Sequence, residues 1–193
     1  MKDLIGLIED NSLTILDRGF NSYQTYLELV TNGNNRHVLI RVKSDVRYEE
    51  LEQLSDGSIL ALLHPPEYLL KEDPELAGPI QVRLISYQHE GGVPSRVATT
   101  LLDPVLYPAQ ELVELYHVRW ELEVGFDEIK THMLERNECL RSKKPEGVYQ
   151  ELWGQLLVYN LVRREMLMVA KASKLPANRI SFRSAILWIR DFW

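Results

Sequence analysis

The chain has 193 residues, enough to bury one substantial core and too few to read as two independent domains, so one core with an appendage is expected. Hydrophobic residues make up 45% and charged residues 26%, ordinary proportions for a globular protein, and no apolar run is long enough to cross a bilayer. The net charge of −6 argues against a generic nucleic-acid binder, and a single cysteine, Cys139, excludes an internal disulfide or a cysteine-built zinc site and leaves that residue a structural role.

The charge is unevenly divided. Residues 1–118 hold nine Lys/Arg against eighteen Asp/Glu, whereas residues 119–190 hold thirteen against nine. The second part is therefore the one that suits phosphate, although two ordinary solvated surfaces would give the same division. The first residues, MKDLIGLIEDN, carry charges within their apolar stretch and show no small-residue cleavage site. They read as a helix leading into a strand, without a signal peptide, and place the chain in the cytoplasm.

Residues 11–16, NSLTIL, form a short apolar and β-branched run that stops at Asp17-Arg18-Gly19, which predicts a buried strand with Asp17 at its carboxyl end. Residues 22–30 fit a short helix, stopped by TNGNN before a strand over residues 37–42. Strand, loop, helix and strand in that order are an α/β signature. Shorter pieces follow: SILALL over residues 58–63, a break at Pro65-Pro66, an acidic loop over residues 71–75, and the strand-like IQVRLISY over residues 80–87. Gly91-Gly92 separates this from a further strand over residues 96–102, and Asp103-Pro104 closes what reads as a β-rich insertion returning to the main sheet. Three parts are expected: residues 1–42, 43–103 and 104–193.

Beyond Pro108 the period becomes helical. One helix is predicted over residues 111–135, a basic loop over residues 141–145, and a second helix over residues 146–172 with Pro145 at its first turn. Val148, Leu152, Leu156 and Tyr159 mark one side of the second helix, and Trp153 and Leu157 add apolar surface elsewhere, which implies burial on more than one face. Lys174-Leu175-Pro176 breaks the chain before a last helix over residues 182–193. No internal repeat or low-complexity segment is evident.

On the first long helix, Arg119, Glu123 and Lys130 fall within an arc of about 60° with Tyr116, at 100° per residue. Leu115, Val118, Leu122, Phe126, Ile129 and Met133 occupy the adjoining sector, so an apolar stripe would lock the helix to a sheet while the polar groups face a cleft. Two readings stay open. Arg119 and Glu123, at i and i+4, form an ordinary helix ion pair; alternatively, the carboxylate holds a divalent metal and the Arg, Lys and Tyr hold the phosphates that the metal activates.

The segment YHVRWELEVGFDEIK resembles the Y-x2-R-x3-E-x6-K signature of the IS4 family of bacterial insertion-sequence transposases, with Tyr116, Arg119, Glu123 and Lys130 at its four positions. Asp17 in LDRGF resembles the family's second catalytic aspartate, and residues 140–165 resemble the segment that follows the catalytic helix. The resemblance implies a DDE-type DNA transposase with an α/β, ribonuclease-H-like fold, here partial and lacking its first strands, with a β-rich insertion and C-terminal helices. It implies that Asp17 and Glu123 ligate metal, that Tyr116 and Arg119 hold the DNA end, and that Lys130 contacts phosphate near the cleavage site. Two Mg²⁺ ions, with Mn²⁺ as substitute, would stand about 3.5–4 Å apart and serve phosphodiester hydrolysis and strand transfer. The implied partners are double-stranded DNA at insertion-sequence ends and either a second copy of the chain or a complementing transposase chain, with no membrane.

The family's first aspartate belongs on an early strand, and only Asp3 and Asp10 precede Asp17. Neither ends a hydrophobic strand, so the first strands are expected to be absent and the chain to cleave little or no DNA alone. A noncatalytic DNA-binding or dimer-partner remnant, or a helical interaction protein, are the competing readings. Arg141, Lys143 and Lys144 are either DNA contacts or solubility charge beside a helix, with Arg163 and Arg164 extending the same surface. The histidines His37, His64, His89, His117 and His132 show no zinc spacing, and no glycine belongs to a phosphate-binding loop. His117 and His132 are surface groups or touch DNA; Trp120 packs or stacks on a base.

Overall fold

A computed structural model describes residues 2–72, 78–88, 93–134 and 140–192. Cys139, His89, Gly91, Gly92 and the end of the acidic loop lie outside the described residues. The chain forms two compact units, residues 1–119 and 120–193.

The first unit is a mixed α/β structure built on one six-stranded sheet. A short helix α1 (Lys2–Ile5) precedes β1 (Ser12–Leu16), and α2 (Tyr23–Thr31) connects it to β2 (Arg36–Arg41). There follow β3 (Glu49–Gln53), β4 (Ile59–Leu63), α3 (Glu67–Glu72), β5 (Ile80–Tyr87), β6 (Ser95–Thr99) and α4 (Ala109–Val118). The sheet order is β1-β2-β6-β5-β4-β3. β1 and β2 are parallel, with Leu16 opposite Ile40, and the remaining neighbours are antiparallel. The segments expected as an insertion thus join the same sheet as β1 and β2.

β2 explains how the sheet is covered. Its centre, Val38-Leu39-Ile40, is fully buried, as a strand with both faces covered must be. Val38 and Ile40 pack with Tyr23, Tyr26 and Leu29 of α2, while Leu39 packs with Leu112, Val113 and Tyr116 of α4. Ser22 starts α2 by accepting the Thr25 amide at 3.3 Å. The start of α4 is fixed differently. Arg83 on β5 is wholly buried. It ion-pairs with Asp56 and donates to Ser58 Oγ at 2.7 Å and to the Tyr107 carbonyl at 2.7 Å. Asp56 Oδ2 in turn accepts the Ala109 amide at 3.0 Å. The turn before β4 therefore caps α4 and sets the position of Tyr116 and Arg119.

The second unit contains α5 (Trp120–Asp127), a π-helical stretch (Glu128–Met133), α6 (Pro145–Ser173) and α7 (Phe182–Phe192). Its core is Val162, Met166 and Phe182, joined by Met133, Tyr159, Ile186 and Ile189. Lys174, at φ 56°, ends α6 in the left-handed conformation, and the Leu175 amide returns to the Ala170 carbonyl at 3.0 Å.

The structure departs from three expectations. The helix predicted over residues 111–135 is not continuous: α4 ends at Val118, α5 starts at Trp120, and the π turn follows. The Arg119 amide bonds to the Tyr116 carbonyl three residues back, and the Leu134 amide bonds to the Ile129 carbonyl five back. A constant 100° per residue is therefore not maintained from Tyr116 to Lys130. The expected apolar stripe is also not the buried one: Leu122 is 65% and Phe126 71% exposed, whereas α4 buries Leu112, Val113 and Tyr116. Likewise α6 is not buried on several faces, since Val162, Met166 and Ala170 are its buried residues while Trp153 and Leu157 are exposed. Its core contacts come from α7 and the π turn.

Candidate phosphate-processing site

Asp17 follows the last residue of β1 in extended conformation, and its side chain caps nothing although a 3-10 turn, Arg18–Phe20, begins there. The carboxylate is about half exposed and stands 3.9 Å from Arg119 Nη2. That separation exceeds a hydrogen bond and makes Arg119 an electrostatic neighbour. Arg119 itself is largely covered, with its guanidinium 5.7 Å from the centre of the Tyr116 ring, in range for a cation–π contact.

Tyr116 is 2% exposed, and its enclosed hydroxyl meets no hydrogen-bond geometry with the described residues. Burial raises its pKa, Arg119 opposes the shift, and Asp17 and Tyr87 add to it. The phenol is therefore neutral near pH 7 and remains a donor. His117 lies edge-on to Tyr87 at 5.4 Å and to Tyr116 at 6.4 Å. It thus belongs to an aromatic cluster behind Arg119, and Tyr87 is a site neighbour that the sequence pattern did not mark.

In the second unit, Glu123 on α5 and Lys130 in the π turn are both exposed. The turn is anchored by Glu128, which is 7% exposed, accepts from Tyr159 Oη at 3.0 Å and pairs with Arg163 at 3.2 Å. Arg163 also donates to Tyr159 Oη at 2.9 Å. Arg163 is thus a structural anchor here. Gly125 permits this arrangement, because a Cβ there would stand 3.0 Å from Tyr159 Oη.

Arg141, Lys143 and Lys144 are exposed on the loop before α6. Glu151 holds that loop: it accepts the Arg141 and Ser142 amides at 2.8 Å each and the Ser142 hydroxyl at 2.5 Å. The Ser142 hydroxyl above all lowers the Glu151 pKa. Arg164 pairs with its neighbour Glu165.

Among the described residues, no three His, Cys, Asp or Glu side chains are grouped to hold a metal. In the first unit the donor set is Asp17 with a cation beside it. Mg²⁺ sites often use only one or two carboxylates and complete their shell with water and substrate phosphate, so Asp17 suits one vertex of such a site.

The family model described as Transposase DDE domain matches residues 1–161. Transposase InsG for insertion sequence element IS4, from Escherichia coli (strain K12), is 37% identical over 182 residues, which are 94% of this chain and 41% of that protein. The chain therefore spans well under half the length of this curated relative. No helix among the described residues is long and apolar enough to cross a membrane. By these two matches the chain belongs to the DDE transposase family, in its IS4 branch.

Proposed function

We propose that the chain is a transposase catalytic-core segment in which Asp17 and Glu123 are the metal-ligating carboxylates and Tyr116, Arg119 and Lys130 hold the DNA end. One observation carries this reading. At the carboxyl end of a parallel-paired strand, an uncapped carboxylate lies beside a guanidinium supported by a buried tyrosine. The three-part division at residues 42 and 103, and the partial ribonuclease-H-like topology, belong to the same proposal.

The division of labour follows from the side chains. Arg119 presents a planar fork suited to two oxygens of one phosphodiester, and the buried Tyr116 ring backs that guanidinium at 5.7 Å. Lys130, exposed in a turn that Glu128, Tyr159 and Arg163 anchor, supplies a mobile point charge for a second phosphate. Arg141, Lys143 and Lys144 extend the contact along double-stranded DNA. Mg²⁺ or Mn²⁺, when bound, would supply Lewis-acid activation of water or a 3′-hydroxyl and stabilise the leaving oxygen.

Of the three acids that the resemblance implies, we assign Asp17 and Glu123 to these residues and propose that, tested by themselves, they cleave poorly until another segment or chain supplies the first aspartate. The partner would be a second copy or a complementing transposase chain. The alternative is a noncatalytic DNA-binding remnant, in which Arg119 serves phosphate and Asp17 only balances its charge. Mn²⁺ binding followed by electron paramagnetic resonance, paired with nicking of supercoiled plasmid, separates these readings. Loss of Mn²⁺ binding in both Asp17→Asn and Glu123→Gln supports the catalytic segment. Mn²⁺ affinity unchanged by both substitutions, with DNA binding intact, supports the remnant. Robust cleavage by the chain alone, abolished by either substitution, overturns the proposed inactivity.

A further inference from the structure

Next to Asp17 the same sheet edge carries a cleft that the motif residues do not use. It has a volume of about 750 Å³ and is lined by four cations, Arg18, Arg41, Lys43 and Arg96, with no carboxylate among its described lining residues. The sheet register explains how they meet. β1 and β2 run parallel with Leu16 opposite Ile40, so one further step brings Asp17 level with Arg41. Arg41 pairs with Val97, and Ser95 pairs with Tyr87. Alternation along β2 puts Arg41 on the face of Leu39, the one that α4 covers. Arg41 Nη2 is held there by Ser95 Oγ at 3.0 Å.

The charge in this cleft is available. Arg18 and Arg41 have no carboxylate partner among the described residues. Lys43 pairs with Asp45 at 3.0 Å and Arg96 with Glu50 at 2.7 Å. Both are partly solvated pairs of the kind worth little and readily exchanged for another anion. The shape also selects the ligand. Neighbouring strand ends lie about 4.8 Å apart, so cations mounted on them spread along an edge and do not converge on one point. A small dianion wants convergence, whereas a strand of phosphodiesters wants a row.

We propose that this cleft is a metal-independent subsite for the backbone of a DNA strand, contacted by Arg18, Arg41 and Lys43 and continuing the strand engaged at Asp17 and Arg119. The proposal rests on the DNA-processing reading and extends it to residues outside the family motif.

Fluorescence anisotropy of the full chain with a labelled DNA duplex in EDTA tests it without catalysis. The triple variant Arg18→Gln/Arg41→Gln/Lys43→Gln should lower the slope of log affinity against log salt by about 2–3. Between about 50 and 200 mM salt the unsubstituted chain would then lose about 40-fold more affinity than the variant. Ser95→Ala, which removes the bond to Arg41 but no charge, should leave the slope unchanged. Circular dichroism melts establish that each variant is folded, and Arg41→Gln alone, with a slope change of about 1, serves if the triple variant is not. An unchanged slope in a folded variant overturns the subsite while leaving the DNA reading in place. Absence of DNA binding by the unsubstituted chain overturns both. Displacement of the duplex by inorganic phosphate beyond the effect of chloride at equal ionic strength marks a small-anion site and overturns the proposal.

Discussion

Arg119 Nη2 lies 3.9 Å from Asp17 Oδ1, so a cation and a proposed metal ligand share one solvated edge. If Asp17 binds a divalent ion, Arg119 opposes that ion while attracting DNA, and Arg119→Gln should move the two affinities in opposite directions. A pair with one partner half exposed to solvent is worth about 0.2–1 kcal/mol, so Mn²⁺ binding in the absence of DNA should tighten by at most about fivefold. DNA binding in EDTA should weaken. Titration calorimetry with Mn²⁺ reads the first effect and anisotropy the second; Mn²⁺ binding that weakens with the charge removed would show that Asp17 is not the ligand.

Gly125 lies across from Tyr159, so an alanine there sets helix propensity against packing. Alanine is worth about 1 kcal/mol more than glycine inside a helix, yet its Cβ would stand 3.0 Å from Tyr159 Oη. That hydroxyl is pinned by Glu128 at 3.0 Å and Arg163 at 2.9 Å, so it yields only by breaking them. Gly125→Ala should therefore destabilise by about 1–2 kcal/mol, and Gly125→Ala/Tyr159→Phe should recover part of the loss. A double-mutant cycle by urea unfolding checks this; additive effects would mean that Tyr159 does not oppose the new methyl.

Much of this arrangement is legible in the sequence where local chemistry decides it. The short apolar and β-branched runs mark β1, β2, β4 and β5, and residues 80–87 form a strand with the predicted bounds. Pro145 and the Lys174-Leu175-Pro176 break bracket α6. β3 escapes notice because EELEQ is exposed at every position and is a strand through its pairing with β4. The break at Arg119 and the π turn leave no compositional mark, being set by which carbonyl accepts each amide. The covered face of α4 differs from the expected one for a related reason: Leu115 and Val118 are as apolar as Leu112 and Val113, and only the position of Leu39 and Val97 decides which pair is covered. Asp17 and Arg119 could be marked as candidates, but their neighbours Tyr87 and Arg41 come from strands distant in sequence.

The Asp56–Arg83 pair should control acid stability in the first unit. Partial burial pushes the Asp56 pKa up, but hydrogen bonds from Ser58, the Arg83 charge and the Ala109 amide outweigh it and leave it below the ordinary value. A carboxylate with a lowered native pKa gives its full stabilisation above its unfolded value, about 3.9, and loses it as pH falls through the native value. Asp56→Asn leaves a wholly buried guanidinium without its counter-charge, at a cost of about 3 kcal/mol near pH 7. The difference between the two proteins should narrow at the acid end. Urea unfolding at neutral pH and below pH about 3 checks it; a constant difference would mean that the ion pair contributes nothing to the pH dependence.

Glu151 provides the corresponding device for the basic loop. Its pKa is lowered chiefly by the Ser142 hydroxyl, with the Arg141 amide next, against desolvation. The sign is that of Asp56: the restraint on the loop is full above the unfolded value, about 4.3, and lost as pH falls through the native one. The Arg141 and Ser142 amides, each 2.8 Å from the carboxylate, should shift together in a nuclear magnetic resonance titration with a midpoint below that value. Glu151→Gln should abolish the titration, and Glu151→Ala should release the loop at every pH. The released loop still carries Arg141, Lys143 and Lys144, so the salt slope of DNA binding should hold while affinity falls, because the charges remain but must be ordered by the DNA. A slope that falls with the affinity would mean that Glu151 does more than position those cations.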